Sequence, residues 1–336
     1  MSRLQVAWSG TVLLILSLVF TLLPPAASAD ADDTEPARPR AELSLRSWIF
    51  TNGETKWSHN ASGLDPQLGN PTSKLTYKDN NTHIIELAGK FHFTRRLFVQ
   101  VDGGFSAALN RGTLTDDDYS AVGGQHLFSQ TTSDITGSGT HYVNADIGYR
   151  VYDYPNNRGV LNVFVGYQYW WTKYEASGVT QVVCAPSGIP GLTCNPAGTV
   201  SNQGQVVITN TTQWNSLRVG AQSDYLLTRR LSLHGKLAFL PVTYLQNDDI
   251  HHLRADLQQN PSFSMSGFGI GTDAEAGARY MFYRGWYLDA GYRVFWNYVW
   301  DGTLKFYPVG APSGSAPLTE FQTIRYGVTL GISHTF

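Results

Sequence analysis

The strongest signal along the chain is alternation. Gln322, Ile324, Tyr326, Val328, Leu330, Ile332, His334 and Phe336 form one set near the C-terminus; Thr323, Arg325, Gly327, Thr329, Gly331, Ser333 and Thr335 form the other. Successive side chains of a strand point to opposite faces, so this pattern predicts one mostly apolar face and one small or polar face. The pattern returns where Trp286, Leu288, Ala290, Tyr292, Val294, Trp296, Tyr298 and Trp300 alternate with Tyr287, Asp289, Gly291, Arg293, Phe295 and Asn297. It returns again in Leu161, Val163, Val165, Tyr167, Tyr169 and Trp171 against Asn162, Phe164, Gly166 and Gln168. Aromatic residues crowd the strand ends, where a membrane barrel places its interfacial girdles.

This spacing predicts about ten antiparallel strands, over 41–57, 72–93, 97–110, 138–152, 159–178, 205–227, 231–248, 263–283, 286–306 and 320–336. Short connections (Thr94 to Arg96, Asp153 to Arg158, Thr228 to Arg230, Tyr283 to Gly285) alternate with long ones over 58–71, 111–137, 179–204, 249–262 and 307–319. Short periplasmic turns and long extracellular loops are the usual asymmetry of outer-membrane barrels. The strings FTRRLFVQ and LTRRLSLH read as one turn used twice. The fold class expected is all-β, a ten-stranded antiparallel transmembrane β-barrel over 41–336, in the outer membrane of a Gram-negative-type bacterium. A secreted soluble β-protein is the alternative.

The N-terminus reads as a signal peptide over 1–29: Arg3, the apolar run Val12 to Leu23, and the small-residue cleavage site Ala27-Ser28-Ala29. Residues 30–40 are then a short periplasmic segment. No later run reaches the roughly 18 apolar residues of a spanning helix. The formal net charge of −2 gives no basic excess, so no nucleic-acid partner is expected. Cys184 and Cys194 lie close together in one segment, and export to an oxidising compartment points to a loop disulfide between them. Neither CxxC spacing nor a nearby His supports a metal or catalytic role for them.

Candidate chemistry sits in two acidic clusters. Asp116-Asp117-Asp118-Tyr119 follows the third strand, and Asp248-Asp249-Ile250-His251-His252 tops the seventh. Both strands run outward on this topology, so the clusters can face each other across the barrel mouth. Asp116 and Asp118 are two apart and share a face; so do Asp249 and His251. A His beside a carboxylate is held in one tautomer and can act as a general base. Two close carboxylates can polarise a water or share a proton. The bland reading is a solvated loop tip, with ordinary loop histidines. The spacing of known zinc motifs is missing, so no metal site is expected, and no cofactor.

These strings resemble the omptins, ten-stranded outer-membrane aspartyl endopeptidases. Asp116-Asp117-Asp118-Tyr119 matches the family's Asp-x-Asp followed by an aromatic, and Asp249-Ile250-His251 its Asp-x-His. Gly166-Tyr167-Gln168 and the closing His334-Thr335-Phe336 also fit. The resemblance implies that Asp116 and Asp118 form one catalytic pair and Asp249 and His251 the other, with His251 activating water for attack on a peptide carbonyl. It also implies a peptide or protein substrate at the cell surface and contact with lipopolysaccharide. Departures fall in the first specificity pocket, where omptins that cut between basic residues use acids. After Gly53-Glu54-Thr55-Lys56 stands Trp57, and the second acidic position is Asn247. Glu54 and Asn247 are thus the candidate substrate-contacting residues, Glu54 only with a shift of register.

Inward charges at Glu86, Lys90, Asp146, Arg150, Arg218, Lys236, Asp289, Arg293 and Arg325 are expected to plug the lumen, because so narrow a barrel fills with side chains. Three functions compete: an omptin-like endopeptidase, a non-catalytic adhesin or binding barrel of the same fold, and a small channel. All four catalytic-type residues favour the first, and a filled lumen disfavours the last.

Overall fold

The computed structural model describes residues 40–106 and 111–336, apart from the side chains of residues 50 and 51. The signal peptide expected over 1–29, the segment expected over 30–40 save its last residue, and the end of the strand expected over 97–110 lie outside them.

One sheet contains β1 (Ala41–His59), β2 (Leu68–Asn81), β3 (His83–His92), β4 (Leu97–Ser106), β5 (Arg111–Ser120), β6 (His126–Asp153), β7 (Gly159–Cys184), β8 (Val200–Leu226), β9 (Leu231–His251), β10 (Phe263–Tyr283), β11 (Trp286–Val299), β12 (Gly302–Phe306) and β13 (Gly314–Thr335). β2 with β3, β4 with β5, and β11 with β12 each share one stave, so the strands make a ring of ten antiparallel staves. β13 pairs with β1 and closes it. At the short-turn end Arg40 N–H donates to the Phe336 carbonyl at 2.8 Å.

Sidedness is the reverse of a soluble protein's. Leu45, Val165, Leu237, Leu288 and Leu330 are exposed, while Glu86, Asn144, Asp146, Arg218 and Arg293 are buried. An apolar belt outside and a polar interior are what a lipid-embedded barrel needs. The lumen is filled in layers. Arg218 bridges Asp146 and Asp273, each at 3.0 Å. Arg293 joins Asp273 at 2.8 Å to Glu86 at 2.7 Å. Lys236 reaches Asp146 at 3.2 Å, and Arg279 pairs with Asp289 at 2.6 Å. Above them lies an aromatic deck: Trp170 stacks between Tyr142 at 4.6 Å and Phe295 at 4.2 Å, with Trp48 edge-on. Arg325 departs from the expected salt-bridge plug. It bonds the Glu54 carbonyl, Thr55 Oγ1 and the Tyr174 hydroxyl instead of an acid.

Several regions expected as loops are strand. β5 and the start of β6 occupy 111–137, β7 runs on to Cys184, β8 starts at Val200, and β9 runs on to His251. Beyond the belt the outer face is wet, so an outward polar residue costs nothing. A strand there needs only backbone pairing and an inward apolar partner, such as Leu114, Ile135 or Val207.

Where β1 and β9 leave the belt, the inward phase slips by one residue. In β1, Arg46 and Trp48 face the lumen below, Thr55 and Trp57 above, with a register shift between Phe50 and Asn52. In β9, Ala238 and Leu240 give way to Thr243, Leu245, Asn247 and Asp249, with shifts against both neighbouring strands. Pro241 sits at that bulge, where a residue without an N–H removes no ladder bond.

Candidate active site

Above the belt, β5 and β9 present their inward residues to one another. Asp116 stands opposite Leu75 of β2, and Asp118 opposite Ser73. Ser73 Oγ donates to Asp116 Oδ1 at 3.3 Å, and its hydroxyl also serves Asp118. From β9, Asp249 is fully buried between Asn210 of β8 and Phe263 of β10. Asn210 Nδ2 donates to Asp249 Oδ2 at 3.3 Å and to Asn247 Oδ1 at 3.2 Å. Asn247 returns the bond to Asn210 Oδ1 at 3.0 Å and reaches Thr212 Oγ1 at 2.9 Å. The other carboxylate oxygen of Asp249 lies 3.8 Å from His251 Nε2, beyond hydrogen-bond range, and both atoms are buried without a bond. The His251 ring sits edge-on to Phe263 at 5.0 Å, and its backbone N–H donates to Ser262 Oγ at 3.1 Å.

The two pairs feel each other. Burial first, then Asp118 and Asp249, hold the Asp116 carboxyl well above the usual carboxylate range. Burial lifts Asp118 to about 6 against Ser73 and Arg254, and lifts Asp249 to about 7 against Asn210 and the Ile250 amide. Burial, with Arg254, His59 and His252, pushes His251 down to about 3. Tyr77 reaches in from β2, its hydroxyl buried without a bond and sensed by Asp249 and Asp116 alike; its ring stacks on Tyr174 at 5.2 Å. The arrangement is a neutral imidazole and a buried carboxyl facing two carboxyls that together hold protons readily. It can take a proton from water and return one.

Asp116, Asp118, Asp249 and His251 are therefore brought together. Glu54 is not: the β1 bulge leaves it out of step with the buried, inward Thr55 and Trp57. Asn247 points inward, but its amide is spent on Asn210 and Thr212, and it braces Asp249. Sequence reasoning missed Asn210, Ser73 and Tyr77, each of which sits on a strand paired with that of the motif it supports, yet lies far from it in sequence and carries no motif of its own. It also missed His59, inward on β1 opposite Ser73, whose Nδ1 is buried without a bond. The Cys184–Cys194 disulfide, with Cα atoms 5.6 Å apart, ties the end of β7 to the segment that follows. Among the described residues no group of three or more His, Cys, Asp or Glu is arranged to hold a metal.

The family model described as Protochlamydia outer membrane protein matches residues 50–336. No curated protein sequence matches. Among solved structures, the outer membrane protease OmpT from Escherichia coli superposes with a TM-score of 0.72 at 14% identity, over 91% of this chain and 100% of that one. The translocator domain of the autotransporter NalP from Neisseria meningitidis gives 0.35 at 10% identity, over 99% and 97% of the two chains. Ail, the attachment invasion locus protein of Yersinia pestis, gives 0.27 at 9%, over 88% and 99%. The first likeness shows the fold, and the other two carry no argument.

Proposed function

We propose that this chain, which belongs to the Protochlamydia outer membrane protein family, is an outer-membrane endopeptidase of omptin type. The observation that carries this reading is the meeting of Asp116 and Asp118 with Asp249 and His251 in the loop-side lumen, around the Tyr77 hydroxyl. The likeness in fold to a barrel described as an outer membrane protease supports it.

In this mechanism a water between the pairs gives a proton to His251 as its oxygen attacks the peptide carbonyl carbon. Asp249, fixed by Asn210, orients the ring and stabilises the imidazolium that forms. Asp116 and Asp118 share a proton and hydrogen-bond the developing tetrahedral oxygens. When the C–N bond breaks, His251 returns its proton to the leaving amine, and the site is restored. The substrate is a surface-accessible peptide or protein. By the same resemblance, lipopolysaccharide is a partner of the barrel wall.

The test is digestion of a diverse peptide pool by the barrel refolded with lipopolysaccharide. Wild type should cut at least a hundred-fold faster than His251→Ala or Asp118→Asn, about the size of a lost general base. Equal rates in all three would leave a non-catalytic binding barrel as the reading.

A further inference from the structure

The short-turn end of the barrel carries a repeated unit. Phe93-Thr94-Arg95-Arg96-Leu97 joins β3 to β4, and Leu227-Thr228-Arg229-Arg230-Leu231 joins β8 to β9. In each, the threonine hydroxyl accepts two backbone N–H groups. Thr94 Oγ1 takes those of Arg96 at 3.2 Å and Leu97 at 2.9 Å. Thr228 Oγ1 takes those of Arg230 at 3.2 Å and Leu231 at 3.0 Å. The turn is closed by the threonine, and all four arginines stand exposed. Tyr283-Arg284-Gly285-Trp286 adds a fifth exposed arginine between β10 and β11, and Arg158 a sixth between β6 and β7.

These cations sit in the short turns that border the apolar belt. Phe93, Leu97, Leu227, Tyr283 and Trp286, each within two residues of one of these arginines, are exposed members of the apolar belt, and Arg96 reaches back to the hydroxyl of belt residue Tyr149. A guanidinium one or two residues beyond an acyl-chain contact lies near the level of lipid phosphates, and its planar fork suits them. The charge is segregated: the whole chain has a net charge of −2, yet this rim concentrates arginine, with Asp153 already engaged by Arg150 at 3.6 Å.

We propose that the short-turn rim is a binding surface for the headgroups of anionic phospholipids in the leaflet it faces. This is independent of the catalytic reading. The competing occupant is the acidic stretch Asp30 to Glu35 of the same chain.

The test uses the barrel with its N-terminal segment, reconstituted in bilayers of brominated phosphatidylglycerol or brominated phosphatidylcholine. Trp286, at the rim, is the reporter, isolated by subtracting the signal of Trp286→Phe. Quenching should show a preference for phosphatidylglycerol of about threefold or more at low salt, since each surface arginine attracts anionic lipid. The preference should vanish in R95Q/R96Q/R229Q/R230Q and at high salt. Equal quenching by both lipids in wild type overturns the proposal, as does a preference that survives the quadruple substitution. A preference seen only after removal of Asp30 to Glu35 gives the rim to that segment and overturns it equally.

Discussion

Asp249 Oδ1 and His251 Nε2 face each other across 3.8 Å, and neither has a hydrogen-bond partner. Two buried polar atoms held apart in this way are costly to keep, and such sites are where proteins trade stability for chemistry.

The pH profile follows from this pair. His251 is neutral down to about 3, while Asp249 takes its proton near 7 and Asp118 near 6. The acid limb of kcat/KM should therefore fall between about 6 and 7 and belong to the carboxyls as a coupled set. Burial takes the limb away from the ordinary histidine value and gives it to the aspartates. Activity that holds constant down to pH 4 would show that the ionised Asp249 is not required.

Stability should move the other way. The folded pKa of Asp249 is raised, so its proton binding favours the folded state, and that stability is lost as pH climbs towards about 7. His251, lowered, contributes the opposite slope between about 3 and its unfolded value. Asp249→Asn should be more stable than wild type at pH 8, by on the order of 1–3 kcal/mol, with the difference gone by pH 4. Urea unfolding from bilayers at both pH values measures it, and an Asn variant weaker than wild type at pH 8 contradicts the account.

Asn210 should matter as much as a motif residue. It holds Asp249 Oδ2 and Asn247 together, so Asn210→Ala leaves a buried carboxyl free to turn. We expect kcat to fall roughly ten- to a hundred-fold with KM little changed, the mark of lost orientation. A change confined to KM would point to substrate contact instead.

The filled lumen predicts silence in planar bilayers. Arg218 and Arg293 knit Asp146, Asp273 and Glu86 beneath the stack of Tyr142, Trp170 and Phe295. Wild type should show no steady conductance, whereas W170A/F295A should leak. Porin-like steps in wild type would count against the endopeptidase reading and for a channel.

The belt was legible because lipid demands apolar residues at every second position, and Val163 to Tyr169 or Leu288 to Tyr292 meet that demand openly. β5 was not, because its Thr- and Asp-rich strand lies above the belt and is held by ladders to β2 and β6 that no local pattern announces. The spacing of Asp116 with Asp118, and of Asp249 with His251, was safe because residues two apart share a face whatever the phase. The direction of that face was not safe. The bulge at Phe50 and Asn52 leaves Glu54 out of step with the inward Thr55 and Trp57.

Those bulges have a consequence for length variation. Between Phe239 and Thr243, β9 carries one residue more than β8 and β10 need, and β1 carries one more than β13 between Phe50 and Asn52. Losing a residue at either place removes slack and leaves the inward set above it inward. Losing one further along, between Thr243 and Asp249, would turn Asp249 and His251 out into solvent while the belt stayed whole. The barrel would still insert and resist denaturation, but it would be inside out at its mouth. Deletions are therefore tolerated or ruinous here according to which side of Thr243 they fall on.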